Sequence, residues 1–118
     1  MSARDSTYLF DIFDSARFAQ EYVEGMDESA FDRDRRTRGA VIYEILIIGE
    51  AVKKLSPEFR AAHPEIPWKK MAGMRDVLIH DYRDVDIPNV WAAATESIPA
   101  LIAALEPLIA DLDAELDE

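Results

Sequence analysis

The run Phe31–Leu55, FDRDRRTRGAVIYEILIIGEAVKKL, carries the strongest structural signal in the chain. Ala40, Val41, Ile45, Ile48, Val52 and Leu55 recur at spacings of three and four, which places them on one side of a helix. Ile42, Leu46 and Ile47 widen that stripe. A stripe this wide implies burial on more than one side, against a core and against a second subunit. The spacing predicts one long helix over residues 31–55. Gly49 lies inside it, where glycine costs about 1 kcal/mol relative to alanine. It is either a tolerated helix glycine or the point of a close helix crossing.

The same periodicity extends in both directions. Leu9, Ile12, Phe13, Ala16, Ala19 and Val23 form one face of an earlier helix. Asp5 or Ser6 would cap its start and Gly25 would end it. The polar residues Asp27–Ala30 read as a connection. Ser56-Pro57 starts a short helix to about Ala62, because serine caps and proline suits the first helical position. His63-Pro64 ends it, and Ile66-Pro67 restarts the chain. Trp68, Met71, Leu78, Ile79 and Tyr82 then follow at helical spacing. A last helical region runs from Pro88 to about Leu116, with Pro99 and Pro107 expected to break or kink it. No β-hairpin signal, glycine-rich loop or repeat is visible. The expected architecture is all-α, an up-and-down bundle of four to five helices in a single domain, 1–118, with an acidic tail from about residue 111.

Composition narrows the chemistry. The 118 residues contain no cysteine, so disulfides, thiolate nucleophiles and Cys-ligated zinc are excluded. Two histidines, His63 and His80, rule out a His-rich metal site. No metal or cofactor is expected. No apolar run reaches the roughly 18–20 residues of a membrane span. No secretory signal is seen at the N-terminus, and a cytoplasmic location is the default expectation.

The chain carries a net charge of −11, which by itself opposes binding to a polyanion. The charge is segregated, however. Residues 1–32 carry −6, residues 33–83 carry +4, and residues 84–118 carry −9 with no Lys or Arg. Arg33, Arg35, Arg36 and Arg38, with Lys69 and Lys70, are candidate RNA-binding residues within the basic segment. A solvated helix face is the ordinary alternative for such a run.

The basic segment also contains Arg75, Asp76, His80 and Tyr82. Histidine moves protons near neutral pH. Arginine binds phosphate oxygens through its planar fork and stabilises developing charge. On RNA, the 2′-hydroxyl would be the nucleophile, and no metal is needed. On one straight helix, Asp76 and His80 share a face, whereas Arg75 and Tyr82 lie about 140° and about 160° from His80. Focusing Arg75 and His80 on one phosphate therefore calls for a bend near Gly73, long side chains, or a second copy across a two-fold axis. In a purely structural account, Asp76 and His80 form a surface pair worth about 0.2–0.5 kcal/mol. Trp68 and Trp91 are then core anchors, and His63 has no role.

The segment resembles the signature of HepT-like toxins, a branch of the HEPN superfamily. Their pattern is Arg, four residues, His, one residue, Tyr, which Arg75, His80 and Tyr82 fit without a gap. Gly49-Glu50-Ala51 with Lys53-Lys54-Leu55, Ile66-Pro67-Trp68, Leu78-Ile79 and Trp91 extend the similarity over approximately Tyr8 to Leu105. The resemblance implies a metal-independent endoribonuclease acting on RNA, tRNA included, as the toxin of a type VII-like toxin–antitoxin pair; the need to focus Arg75 and His80 on one phosphate suggests a homodimer, or a higher hetero-oligomer with the partner. Arg75 and His80 would be catalytic. Asp76, commonly Asn in the family, would support His80 while placing negative charge near a phosphate. The partner implied is an MntA-like nucleotidyltransferase that transfers AMP to Tyr82. The competing expectation is a catalytically inactive helical adaptor that binds this nucleotidyltransferase.

Overall fold

A computed structural model describes residues 2–81 and 83–116, with side-chain surroundings for all of these except Val77, Ile79, His80, Asp81 and Leu116. The helices are α1 (Ala3–Tyr22), α2 (Glu28–Arg33), α3 (Arg35–Lys54), α4 (Pro57–Ala62), α5 (Trp68–Leu78), α6 (Ile87–Ala92) and α7 (Ile98–Leu116). A π-turn, Ala93–Ser97, joins α6 to α7 without interruption. Two short strands, β1 (Ile79–Asp81) and β2 (Asp84–Val85), follow α5 as an antiparallel pair. The architecture is all-α, as the periodicity implies. α1 packs against α3 and α7, and α3 packs in turn against α5.

The core is built from the residues the spacing selects. Leu9, Ile12, Phe13, Ala16 and Ala19 of α1 and its C-cap Val23 are buried, as are Val41, Ile45, Ile48 and Val52 of α3 and its C-cap Leu55. Ile98, Leu101, Leu105 and Leu112 complete it from α7. The helical run Ile87–Glu115 is long and apolar enough in composition to cross a membrane. Its extent matches the last helical region read from the sequence, but Glu96 and Glu106 interrupt it, so no unbroken apolar run of that length is visible. In the bundle, Val90, Ile98, Leu101, Ile102, Leu105, Ile109 and Leu112 of this run face the protein core.

Several boundaries differ from the sequence expectation. Ser2, not Asp5 or Ser6, caps α1, its hydroxyl accepting the Asp5 N–H at 3.0 Å. Asp5 is buried inside the first turn, where its carboxylate accepts the Ser56 N–H at 2.8 Å and the Ser56 hydroxyl at 2.7 Å. One side chain thus ties the start of α1 to the cap of α4, since Ser56 also accepts the Phe59 N–H. α1 ends at Tyr22 with Val23 as its C-cap, and Gly25 lies in the turn just beyond, at φ +77°, a conformation that glycine adopts without a Cβ clash.

The long helix expected over 31–55 is divided at Asp34. Asp27 caps α2, so the supposed connection is itself a helix start. Asp34 then caps α3, accepting the Thr37 N–H at 3.0 Å and the Thr37 hydroxyl at 2.8 Å. These bonds, the backbone one first, hold the Asp34 carboxyl below its ordinary value. Phe31 remains buried, its ring 5.2 Å from that of Trp91.

Neither Pro99 nor Pro107 breaks the last helix. The turn before Pro99 is widened, and the Ile98 N–H donates five residues back to the Ala93 carbonyl. The wide turn accommodates a ring that cannot donate and that would crowd the carbonyl four residues earlier. Pro107 lies inside α7, which continues past it to Leu116.

The helix expected to run through Tyr82 ends at Leu78 instead. From Ile79 the backbone pairs with β2, Ile79 opposite Val85, and the Asp86 N–H donates to the Leu78 carbonyl at 3.0 Å. No glycine or proline marks this stop. A hydrogen bond across eight residues sets it.

Candidate active site

The position of α5 is fixed at both ends. At its start, the Trp68 indole N–H donates to the carbonyls of Arg60 (3.1 Å) and His63 (2.9 Å). The Trp68 ring packs 5.9 Å from Phe59, which also contacts His63 at 4.7 Å. Trp68 is thereby the core anchor the sequence suggests, and His63 serves the same corner structurally. Met71 and Leu78 bury the inner face of the helix.

In the middle of α5, Gly49 of α3 faces Ala72 and Arg75. A Cβ built at Gly49 would lie 3.7 Å from both the Ala72 carbonyl oxygen and the Arg75 Cβ. Gly49 therefore marks a close crossing of α3 over the candidate arginine. The stem of Arg75 rests on α3 and its guanidinium is exposed. Arg75 Nη1 donates to Asp76 Oδ1 at 3.1 Å, and both side chains face solvent. An exposed pair of this kind is worth about 0–1 kcal/mol, so an incoming phosphate competes with Asp76 readily.

His80 stands on β1, beyond the end of α5. The four-residue helical relation between Asp76 and His80 is accordingly absent, and so is the 140° helical offset between Arg75 and His80. Asp76 turns to Arg75 instead. The expected placement of Tyr82, two helical turns from Arg75, lies outside the described residues.

The basic candidates fall in two groups. Lys69 and Lys70 are exposed in the first turn of α5, with Lys69 two turns before Asp76 on the same face. Arg33, Arg35 and Arg36 are exposed at the corner between α2 and α3, and Arg38 donates to the Asp32 carbonyl. Thirteen residues of α3 separate Arg36 from Gly49, about 20 Å along the helix at 1.5 Å per residue. The arginine corner is thus a separate basic surface, not part of the Arg75 neighbourhood. α6 packs against α2, α3 and α5, and so lies between the two. Sequence reasoning missed two further polar links, Asp5 with Ser56 and Tyr22 with Glu44. Both join residues more than twenty positions apart, and no local pattern announces them.

Among the described residues no cluster of His, Cys, Asp and Glu could hold a metal ion. The site is instead a cationic fork on a helix, followed directly by a strand carrying an imidazole, on a small helical bundle. A phosphate-binding cation beside a proton-transfer group is a pairing suited to phosphodiester chemistry.

The sequence matches the family model described as Ribonuclease HepT-like over residues 12–108. The chain belongs to the HepT-like ribonuclease family. It is 40% identical over 108 residues to the "Probable ribonuclease HepT" of Thermococcus cleftensis, covering 92% of this chain and 98% of that one. It is 39% identical over 114 residues to the "Putative RNase MJ0125" of Methanocaldococcus jannaschii, covering 96% and 98% of the two chains. Over 94 residues it is 42% identical to the "Putative RNase TTE0752" of Caldanaerobacter subterraneus, covering 80% and 84%. No solved structure matches the chain.

Proposed function

We propose that the protein is the toxin of a toxin–antitoxin pair, a metal-independent endoribonuclease that cuts RNA at Arg75 and His80. The observation that carries this reading is the placement of Arg75, seated by Gly49 at the α3–α5 crossing with its guanidinium exposed. Only three residues after it the helix gives way to the strand bearing His80.

In the reaction, the 2′-hydroxyl oxygen attacks the adjacent phosphorus as His80 takes its proton. The bond to the 5′-oxygen breaks, leaving a 2′,3′-cyclic phosphate, and the 5′-oxygen takes up a proton. Arg75 leaves Asp76 for the phosphate and stabilises the charge that builds on its oxygens. A homodimer supplies a second Arg75 and His80 and hence an acid as well as a base. AMP transfer to Tyr82 by an MntA-like nucleotidyltransferase would set a bulky anion beside this site and block RNA.

The test is cleavage of cellular RNA or tRNA by purified protein in the presence of a chelator. Arg75→Ala and His80→Ala are each expected to lower the rate roughly 100-fold or more. Asp76→Asn, which frees Arg75, is expected to raise it. Equal cleavage, or equal growth arrest, by wild type and both alanine variants overturns the mechanism. Intact mass after co-expression with the nucleotidyltransferase reads the modification: it requires an added AMP that Tyr82→Phe does not acquire.

A second reading is favoured by the pairing of Arg75 with Asp76. In it the chain is an inactive adaptor that binds the nucleotidyltransferase. A stable complex with no RNA cleavage by wild type or by Asp76→Asn would select it.

A further inference from the structure

Three large apolar side chains are left exposed among the described residues: Phe18 (47%), Tyr22 (38%) and Tyr43 (59%). They are not scattered. All three border one shallow hollow of about 450 Å³ between α1 and α3, together with Ile47, Asp11 and Asp14. Single exposed apolar residues are ordinary, but a contiguous aromatic group on a small protein marks a contact surface.

One of these rings is held in place. The Tyr22 hydroxyl donates to Glu44 Oε2 at 2.8 Å, and Glu44 is only 4% exposed. That bond, with burial second, keeps the Tyr22 hydroxyl above its ordinary value, so it remains a donor. A buried carboxylate thus fixes the orientation of a surface ring. A ring ordered before contact loses less entropy on binding, which is the property of an interface anchor.

The charge around the rings selects the occupant. The charged residues lining the hollow are Asp11, Asp14 and Glu44, with no Lys or Arg among them. Acidic walls repel RNA. A second copy docking through a two-fold axis would bring the same acidic walls face to face. A guanidinium, by contrast, stacks on Tyr43 or Phe18 and reaches Asp11 or Asp14 with its fork.

We infer that the α1–α3 aromatic face is the docking surface for a protein partner that presents arginine or lysine beside an apolar side chain. This surface is separate from the Arg75 neighbourhood, and the inference does not depend on RNA cleavage or on the identity of the partner.

The test is an amide NMR titration of the full chain with a synthetic helical peptide whose Leu and Phe side chains are flanked by arginines. Shift changes are expected in residues 11–22 and 43–47. Tyr43→Ser, and separately Asp11→Lys with Asp14→Lys, should weaken binding roughly tenfold or more, in keeping with loss of an interface anchor. Tyr22→Phe, which keeps the ring but loses its clamp, should weaken it several-fold. Any of four results overturns the inference: changes confined to other surfaces; equal binding of the peptide with glutamates for arginines; shifts of these amides by a single-stranded RNA oligonucleotide; or self-association in sedimentation that Tyr43→Ser abolishes.

Discussion

Asp5 shows how much one side chain can join. Burial pushes its carboxyl up, but hydrogen bonds from the Ser56 backbone and hydroxyl, with Ser2 and Arg4 nearby, outweigh burial and hold it below its ordinary value. A carboxyl depressed by folding contributes stability that is complete above its unfolded value of about 3.9. That contribution is lost as pH falls through the lower folded value. Asp5→Asn is expected to destabilise the protein by about 1–3 kcal/mol at neutral pH, because it loses charge-assisted bonds to Ser56. The same variant should show a smaller further loss of stability below about pH 4 than wild type, read from thermal unfolding across the acid range. The sequence offers Asp5 as a helix cap because aspartate near a helix start usually is one. Ser2 already fills that role, and the true partner is 51 residues away. The capping role of Ser56, read from the proline that follows it, was legible at once, whereas its bonds to Asp5 were not.

At the scale of elements, the sequence reveals helices where apolar spacing is regular and fails where a boundary depends on a distant hydrogen bond. The division at Asp34 falls in a charged run with no periodicity to interrupt. The end of α5 falls in an apolar run, Val77-Leu78-Ile79, that suits helix and strand alike, and the deciding contact is with Asp86. Arg75 was therefore placed correctly on a helix, whereas the helical geometry assigned to His80 was not. Gly49 is the clearest test of the crossing beneath Arg75. Its missing Cβ would sit at ordinary contact distance, so Gly49→Ala should be tolerated and stabilise the protein by about 0.5–1 kcal/mol through helix propensity. Gly49→Leu should destabilise it by about 1–3 kcal/mol through overpacking. It should also slow cleavage more than it weakens RNA binding, because the leucine would displace Arg75. Thermal unfolding and single-turnover kinetics on the two variants check both.

Across the whole molecule, charge is sorted by surface. The exposed arginine corner at the α2–α3 junction lies about 20 Å along α3 from the Arg75 crossing. The C-terminal part of α7 exposes Asp111, Asp113 and Glu115 while burying Leu112 in the bundle. A net −11 thus coexists with a local basic surface. If RNA runs from the corner to Arg75, replacing Arg35 and Arg36 by alanine should weaken binding to all sequences alike. The salt dependence of affinity should then flatten by about 1.4 log units per log unit, at about 0.7 for each lost single-strand phosphate contact. Cleavage at saturating RNA should be unchanged. An unaltered slope would make these arginines a solvated face.

The end of α5 at Leu78 has a mechanical consequence. Arg75 rides on a helix held by Trp68, Met71, Leu78 and the α3 crossing, all of which resist opening. The backbone of His80 belongs to a two-stranded pair, an element of small intrinsic stability. The two halves of the proposed catalytic pair are therefore mounted on bodies of unequal stiffness. Deuterium should enter the amides of Ile79–Asp81 well before those of the second half of α5, and agents that grip the strand pair should retune the distance between arginine and histidine without unfolding the bundle.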